Sequence, residues 1–149
     1  MKIEDEIKQP RFRDVYQKVA VNLLFTSNWL VGRQHEFFKP FGITTQQFNI
    51  LRILRGQHPG AISGVEIKSR MLDRNSDISR LLDRLLKKDL VSKCQSENDK
   101  RAANVSITQK GLELLEQIDE KFKEVERHHF NLSETEATQL SQLLDKARG

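Results

Sequence analysis

The chain has 149 residues, of which 37% are apolar and 31% are charged, and Cys94 is its single cysteine. This length indicates one domain, or a small domain with an interaction element, and one cysteine excludes an internal disulfide or a cysteine-rich metal site. No run of about 18 apolar residues is present, so no transmembrane helix is expected. The first residues are charged and lack the apolar core of a signal peptide, so a cytoplasmic location is expected.

Positive charge is concentrated in the middle of the chain. Residues 51–110 hold 13 Lys+Arg and 7 Asp+Glu, a net of +6, whereas the rest holds 12 and 14, a net of −2. A basic middle favours an anionic partner, with nucleic acid as the leading candidate. Composition alone leaves open the alternative that this is an ordinary solvated face.

Residues 10–39 are predicted to form one long helix. Apolar residues from Phe12 to Phe38 recur at roughly helical spacing, and Pro40 and Gly42 end the pattern. The apolar residues spread around much of the helix circumference, so this helix needs more than one packing partner.

The next segment has the pattern of a helix-turn-helix. Thr44 with Gln47, and then Ser63 with Glu66, are capping-box pairs that predict two helix starts. About three residues after the second of these helices, a further helix is predicted from residue 74, with Asp73 as its cap and an apolar leucine stripe on one side. A helix pair whose second member exposes polar residues at its start is typical of DNA-binding proteins.

The exposed helix fits the major groove, which is about 12 Å wide. Its early residues are expected to reach base edges, because Arg, Asn and Asp side chains pair with guanine, adenine and cytosine. Arg84 lies further along and is expected to meet phosphates. The candidate DNA-binding residues are Arg74, Asn75, Ser76, Asp77, Ser79, Arg80 and Arg84.

Two short β-like runs, Val91–Gln95 and Asn104–Ile107, predict a hairpin after this helix. The tip between them carries Asp99, Lys100 and Arg101. An arginine there is attracted by the negative potential of the adjacent minor groove, and Asp99 is expected to hold Arg101 in position. An ordinary charged turn is the alternative. The residues expected to pack the hairpin onto the leucine stripe are Val91, Val105 and Ile107.

A long amphipathic helix follows Gly111, and the pair Ser133 and Glu136 predicts the start of a last helix. The expected fold is therefore mainly α with a small β-hairpin: a winged helix-turn-helix with long N- and C-terminal helices. The terminal segments 10–39 and 112–147 carry more apolar surface than one small lobe needs, which favours self-association.

The stretches RLLDRLLKKDLV and ENDKRAANVSITQKGLELL together resemble the MarR family of winged-helix regulators. That family carries Asp-x-Arg at the wing and Val-x-Leu-Thr-x-x-Gly before the next helix. The resemblance covers essentially the whole chain. The positions that carry it here are Asp99, Arg101, Val105, Ile107, Thr108 and Gly111.

The resemblance implies one MarR-like chain over residues 1–149. It implies dimerisation helices at about 10–39 and 112–149, and a winged helix-turn-helix DNA-binding lobe at about 44–110. It further implies that residues 74–84 form the recognition helix and that Arg101 enters the minor groove.

Two positions depart from the family pattern. Asp89 stands where the family often has glycine, and a left-handed conformation is expected there, which Asp tolerates better than most residues. Some members sense oxidants through a cysteine in the first helix, which this chain lacks. Cys94 falls on the wing, where an ordinary strand residue is expected.

Family members often bind small aromatic or lipophilic molecules between the dimer helices and the DNA-binding lobe. The resemblance therefore implies an effector pocket, with Phe12, Tyr16 and Trp29 as candidate lining residues. Core or dimer contacts are the alternative role for these aromatic residues. No enzyme, metal site or cofactor is expected, since the sequence shows no nucleophile–base pairing, phosphate loop or carboxylate pair.

The leading hypothesis is a sequence-specific DNA-binding transcription regulator, expected to be a ligand-responsive repressor that acts as a homodimer on a pseudo-palindromic site. A helical protein-interaction module with an incidental basic face is the first alternative. An architectural DNA binder without sequence preference is the second.

Overall fold

The computed structural model describes residues 1–95 and 103–149. The described part is mainly helical with one small sheet, so the predicted fold class is confirmed. The elements in chain order are α1 (Ile3–Glu6), α2 (Val15–Phe38), α3 (Thr45–Gln57), β1 (Ile62–Ser63), α4 (Gly64–Arg70), α5 (Ile78–Lys87), β2 (Val91–Gln95), β3 (Ala103–Ile107), α6 (Gln109–His129) and α7 (Glu134–Arg148).

Helix α2 begins at Val15, five residues later than predicted. Asp14 has an extended backbone and its carboxylate accepts a 2.8 Å hydrogen bond from the Gln17 N–H, which caps the helix. The helix ends at Phe38 and passes into a 3-10 turn that Gly42 closes with φ +70°. Residues 10–14 therefore precede the helix, and α1 is an element that the sequence pattern did not indicate.

Residues Met1–Leu112 form one compact unit whose core lies among α3, α4, α5 and the sheet. The rings of Phe38 and Phe48 stack 4.4 Å apart and pack the end of α2 against α3. Each buried side chain of this size contributes about 1.5–3 kcal/mol to folding. The most completely buried large side chains of this unit are Phe38, Ile50, Leu51, Leu54, Ile67 and Leu85.

The sheet has three antiparallel strands in the order β1-β3-β2. Val91 pairs with Ile107, and Ile62 of the very short β1 pairs with Val105. The predicted hairpin strands are confirmed to within one residue. Val91, Val105 and Ile107 are all buried, as a hairpin packed on an apolar stripe requires.

Helix α5 begins at Ile78, so the prediction that this helix starts at residue 74 is wrong. Residues 71–77 separate it from α4, a longer connection than the expected three residues. Asp73 accepts from the Asn75 N–H at 2.9 Å and forms a local turn. Asp77 then caps the helix by accepting from the Arg80 N–H.

Residues Glu113–Gly149 form a second unit, which contains most of α6 and all of α7. Leu115 and Ile118 of α6 are fully buried. Helix α7 opens with the predicted capping box of Ser133 and Glu136, yet none of its side chains is buried. Within the described ranges, no helix combines the length and the apolar character that a membrane span needs.

Candidate nucleic-acid interface

Helix α5 separates an apolar face from a polar one. Its buried side carries Ile78, Leu82 and Leu85, which face the core of the first unit. Arg80 and Arg84 lie four residues apart and therefore share one exposed face, with Ser79 beside them. On the same surface Asp83 lies 3.7 Å from Lys93 of β2, an exposed ion pair of little energetic weight. The exposed face is polar and largely basic.

The first four candidate residues lie outside the helix. Arg74 and Asn75 are exposed in the turn that precedes α5, so they flank the helix instead of lining its groove-facing side. The Asp77 carboxylate is occupied as the helix cap. The cap uses one of the two carboxylate oxygens, so Asp77 has a capping role and its predicted contact with a base edge stays a prediction.

Ser76 is the clearest correction among the candidate residues. Its side chain is buried, at 7% exposure, and its hydroxyl has no hydrogen-bond partner within the described residues. The sequence predicts Ser76 among the exposed residues at the start of the helix because it predicts a helix from residue 74. With the helix starting at Ile78, residue 76 turns inward and cannot reach a base edge.

The turn before α5 is attached to α3 by one long-range hydrogen bond. The Asn49 side-chain oxygen accepts from the Leu72 N–H at 2.9 Å, across 23 residues of sequence. Leu72 itself is 85% exposed. The pattern of α3 offered a signal for this contact, since Asn49 is a polar residue between the buried residues Phe48 and Ile50.

The far end of α5 is joined to two other segments. Asp89 has φ +59°, so the predicted left-handed conformation is confirmed. The Lys88 ammonium donates to the Gly42 carbonyl, and the Lys88 carbonyl accepts from the Lys110 ammonium at 3.0 Å. These contacts hold the end of α5 against both the α2–α3 turn and the start of α6.

The strands of the wing are held by their buried side and by polar pairs. On the outer face, the hydroxyls of Ser92 and Ser106 lie 3.0 Å apart in directly paired positions. The wing candidates Asp99, Lys100 and Arg101 lie outside the described residues. Their roles at the minor groove remain predictions from the sequence.

The three effector-pocket candidates are not brought together. Trp29 lines a cavity of about 480 Å³ between α1 and α2, with Phe25 and Ile3. Tyr16 is 81% exposed and Phe12 precedes the helix, and neither lines this cavity. Within one chain the three residues are not grouped, because α2 begins only at Val15 and Tyr16 and Trp29 are more than three turns apart; their role in an effector pocket stays a prediction.

The remaining reactive side chains have ordinary surroundings. Cys94 is exposed on β2, and its thiol lies 3.7 Å from the Asn104 carbonyl. His128 and His129 fall in the last turn of α6, where cations suit the helix dipole. In the described ranges, no three His, Cys, Asp or Glu residues are grouped to hold a metal ion.

The arrangement agrees with comparisons to known proteins. A model of the MarR family matches residues 43–103. The crystal structure of a MarR transcription factor from Planctomyces limnophilus is 31% identical, with a TM-score of 0.70 over 91% of this chain and 98% of that one. The chain belongs to the MarR family.

Two further MarR-type relatives extend the comparison. The regulator PecS of Dickeya dadantii (strain 3937) is 29% identical over 89% of this chain and 82% of that protein. A mutant MarR from E. coli, crystallised with operator DNA, is 30% identical, with a TM-score of 0.72 over 85% of this chain and 91% of that one. PecS is named as a transcriptional regulator and the Planctomyces limnophilus protein as a transcription factor, which agrees with the expectation that this MarR-family chain is not an enzyme.

Proposed function

We propose that this protein is a sequence-specific DNA-binding transcription regulator, a ligand-responsive repressor that acts as a homodimer on a pseudo-palindromic site. The observation that carries the proposal is the exposed basic face of α5, which ends beside the strands of a wing. A MarR relative of similar fold has been crystallised with operator DNA. A helix presented in this way enters the major groove.

The corrected start of α5 redistributes the proposed DNA contacts. Ser79 and Arg80 lie in its first turn and are assigned to base edges, and Arg84 is assigned to a phosphate. Arg74 and Asn75, in the turn that precedes α5, are assigned to the DNA backbone. The wing supplies Lys100 and Arg101, with Arg101 in the minor groove and Asp99 positioning it.

Dimerisation is proposed through α2 and the second unit. Helix α2 exposes apolar side chains along its length, and α7 buries none of its own, although an isolated helix of this length is marginal in water. Faces of this kind need a partner, and a second copy supplies the same faces by symmetry. The exposed apolar residues are Val15, Tyr16, Val19, Leu23, Leu24, Trp29 and Val31 of α2 and Leu140 and Leu143 of α7.

The rest of the proposal concerns the ligand and the place of action. The DNA-binding lobe is assigned to about residues 44–110, and the protein is assigned to the cytoplasm, where its DNA lies. A small aromatic or lipophilic effector is assigned to the cavity that Trp29 lines. Such a ligand changes DNA binding only if its affinity differs between the DNA-bound and free conformations.

Selection of preferred DNA from a random duplex pool tests the proposal. We expect an enriched pseudo-palindrome with half-site centres about 10–10.5 base pairs apart. Tight binding without an enriched sequence would instead favour an architectural protein. No binding to duplex DNA at low salt would favour the protein-interaction module.

The oligomeric state is tested by sedimentation equilibrium. We expect a dimer, and we expect the double substitution Leu140→Glu and Leu143→Glu to shift it toward monomer. Substituting the exposed polar residues Gln139 and Gln142 by Glu provides the matched control for added charge. A monomeric wild-type protein at high concentration would contradict the homodimer.

A further inference from the structure

A groove of about 400 Å³ lies between the end of α2, the start of α3 and the last turn of α5. We call it the basic groove. Ile43 contributes an apolar wall. The cations around it are Lys39, Arg84, Lys87 and Lys88, and His35 also lines it.

The charge of the basic groove is of one sign. Four permanent cations and a histidine line it, and no carboxylate is among its lining residues in the described part of the chain. The Asp83 carboxylate, which also belongs to α5, lies outside the groove and pairs with Lys93. Of the groove's cations, Lys88 is held by the Gly42 carbonyl, which fixes one ammonium at the groove edge.

The four cations of the basic groove are exposed, and a bound anion relieves the part of their mutual repulsion that water does not screen. Cations drawn from two elements distant in sequence repel one another across the groove, whereas one ligand that carries more than one negative charge attracts all of them. A monoanion would neutralise only one of the four. The charge count therefore selects a multiply charged ligand, and the groove volume accommodates a small one.

We propose that the basic groove binds a small phosphate anion that carries at least two charges, such as a phosphomonoester or a diphosphate. Arg84 offers a planar fork suited to phosphate oxygens, and Lys39 and Lys87 act as point charges from the two sides. Ile43 lines the groove beside these cations.

The bound anion has a consequence for DNA binding that rests on the proposed function. Arg84 is the residue assigned above to a DNA phosphate, and it also lines the groove. An anion that holds Arg84 withdraws it from DNA and links the end of α2 to α5. The anion therefore competes with DNA for one side chain, and its binding lowers DNA affinity.

Calorimetric titration without DNA tests the binding site itself. The probes are inorganic phosphate and pyrophosphate, each compared with chloride at the same ionic strength. We expect saturable binding, with pyrophosphate tighter than phosphate. If neither phosphate nor pyrophosphate binds more tightly than the chloride control, the proposal is overturned.

Charge reversal on the α2 side of the groove locates the site. We expect Lys39→Glu to weaken pyrophosphate binding about tenfold or more, since a favourable charge contact becomes a repulsive one. Lys39→Arg should retain it. Lys123→Glu on exposed α6 is the control, because it changes the net charge equally and lies outside the groove. Equal weakening in both Glu variants would overturn the site, since it would indicate binding to net charge alone.

A DNA competition separates the site from its consequence. We expect pyrophosphate to weaken DNA binding by the wild-type protein more than by Lys39→Glu, at constant ionic strength. If pyrophosphate binds the wild-type protein but weakens DNA binding by the wild-type and Lys39→Glu proteins equally, the competition for Arg84 is overturned. Absence of any DNA binding would contradict the proposed function while the calorimetric result still decides the anion site.

Discussion

The side-chain hydroxyl of Thr108 donates a 2.6 Å hydrogen bond to the main-chain carbonyl of Asp89, across 19 residues of sequence. The same hydroxyl accepts from the Gly111 N–H at 3.1 Å, and the Thr108 N–H donates to the Leu90 carbonyl. One threonine therefore satisfies the left-handed end of α5 and caps the start of α6. This contact explains the chemistry of the Thr-x-x-Gly motif.

Loss of the Thr108 hydroxyl should destabilise the fold. We expect Thr108→Val to lower the free energy of unfolding by about 1–2 kcal/mol, because the Asp89 carbonyl and the Gly111 N–H lose their partner. Thr108→Ser keeps the hydroxyl and should cost less. Urea denaturation of the three proteins measures the difference, and equal stabilities of the Val and Ser variants would contradict the capping role.

Gly111 should not tolerate a side chain. A Cβ at this position would lie 2.5 Å from the Leu90 carbonyl oxygen and 2.6 Å from Ile107 Cγ1. We expect Gly111→Ala to lower the free energy of unfolding by about 2–3 kcal/mol, since main chain and a buried residue must move. Gly56→Ala is the control: nothing lies within 4 Å of its Cβ position, and a helical site of this kind gains about 0.5–1 kcal/mol. Thermal unfolding of both variants should give shifts of opposite sign.

Ser76 should lower the stability of the fold and should not contact DNA. Its buried hydroxyl lacks a partner within the described residues, so Ser76→Ala should raise the free energy of unfolding by about 1 kcal/mol. DNA affinity should stay within about twofold of wild type, less than the effect of losing a base contact. Chemical denaturation and fluorescence anisotropy measure the two quantities. A changed base preference in a DNA selection would restore the reading role to Ser76.

The capping box of α7 should give the protein a dependence on acid. The Ser133 N–H and hydroxyl both donate to the Glu136 carboxylate, which holds its pKa below the usual 4.5. A lowered folded-state pKa contributes stability that is present above about pH 4.5 and is lost as the pH falls through the folded-state value. Glu136→Gln keeps the box without the charge, so its deficit relative to wild type should be largest near neutral pH and vanish in acid. A deficit that is constant with pH would contradict the charged cap.

The two proposed arginine contacts should differ in what they change. Arg80→Ala should lose about 1–3 kcal/mol of binding and relax preference at one base pair. Arg101→Ala should weaken binding and flatten the salt dependence by about one charge. Anisotropy titrations at several salt concentrations, together with a selection for each variant, distinguish them. Unchanged affinity and slope in Arg101→Ala would count against the wing assignment.

The sequence predicted what is local and repeated. The alternation of Val105 and Ile107 located β3, and the capping pairs located the starts of α3, α4 and α7. The left-handed Asp89 followed from the position of one residue after a leucine stripe. These features depend on neighbours within a few residues, so a sequence pattern contains the information.

The start of α5 was predicted wrongly because two residues offered equivalent capping signals. Other features were not predicted because they depend on contacts between residues distant in sequence. Asp73 and Asp77 both have capping side chains, and only packing decides that Ile78 begins the helix while Ser76 turns inward. The basic groove joins residues near 39 with residues near 87, and the Asn49–Leu72 bond joins α3 to a later turn. No hydrophobic periodicity in the sequence indicates such long-range contacts.

The two lysine hydrogen bonds at the end of α5, from Lys88 and from Lys110, affect which substitutions this fold can accept during evolution. Both carbonyls that they use, those of Gly42 and Lys88, belong to the main chain. A substitution cannot delete a main-chain oxygen, so the acceptors persist through any change of side chain. Most side chains of the surrounding surface can therefore change in evolution without loss of these acceptors. The position of α5 is retained as long as residues 88 and 110 each keep a long cationic side chain as donor.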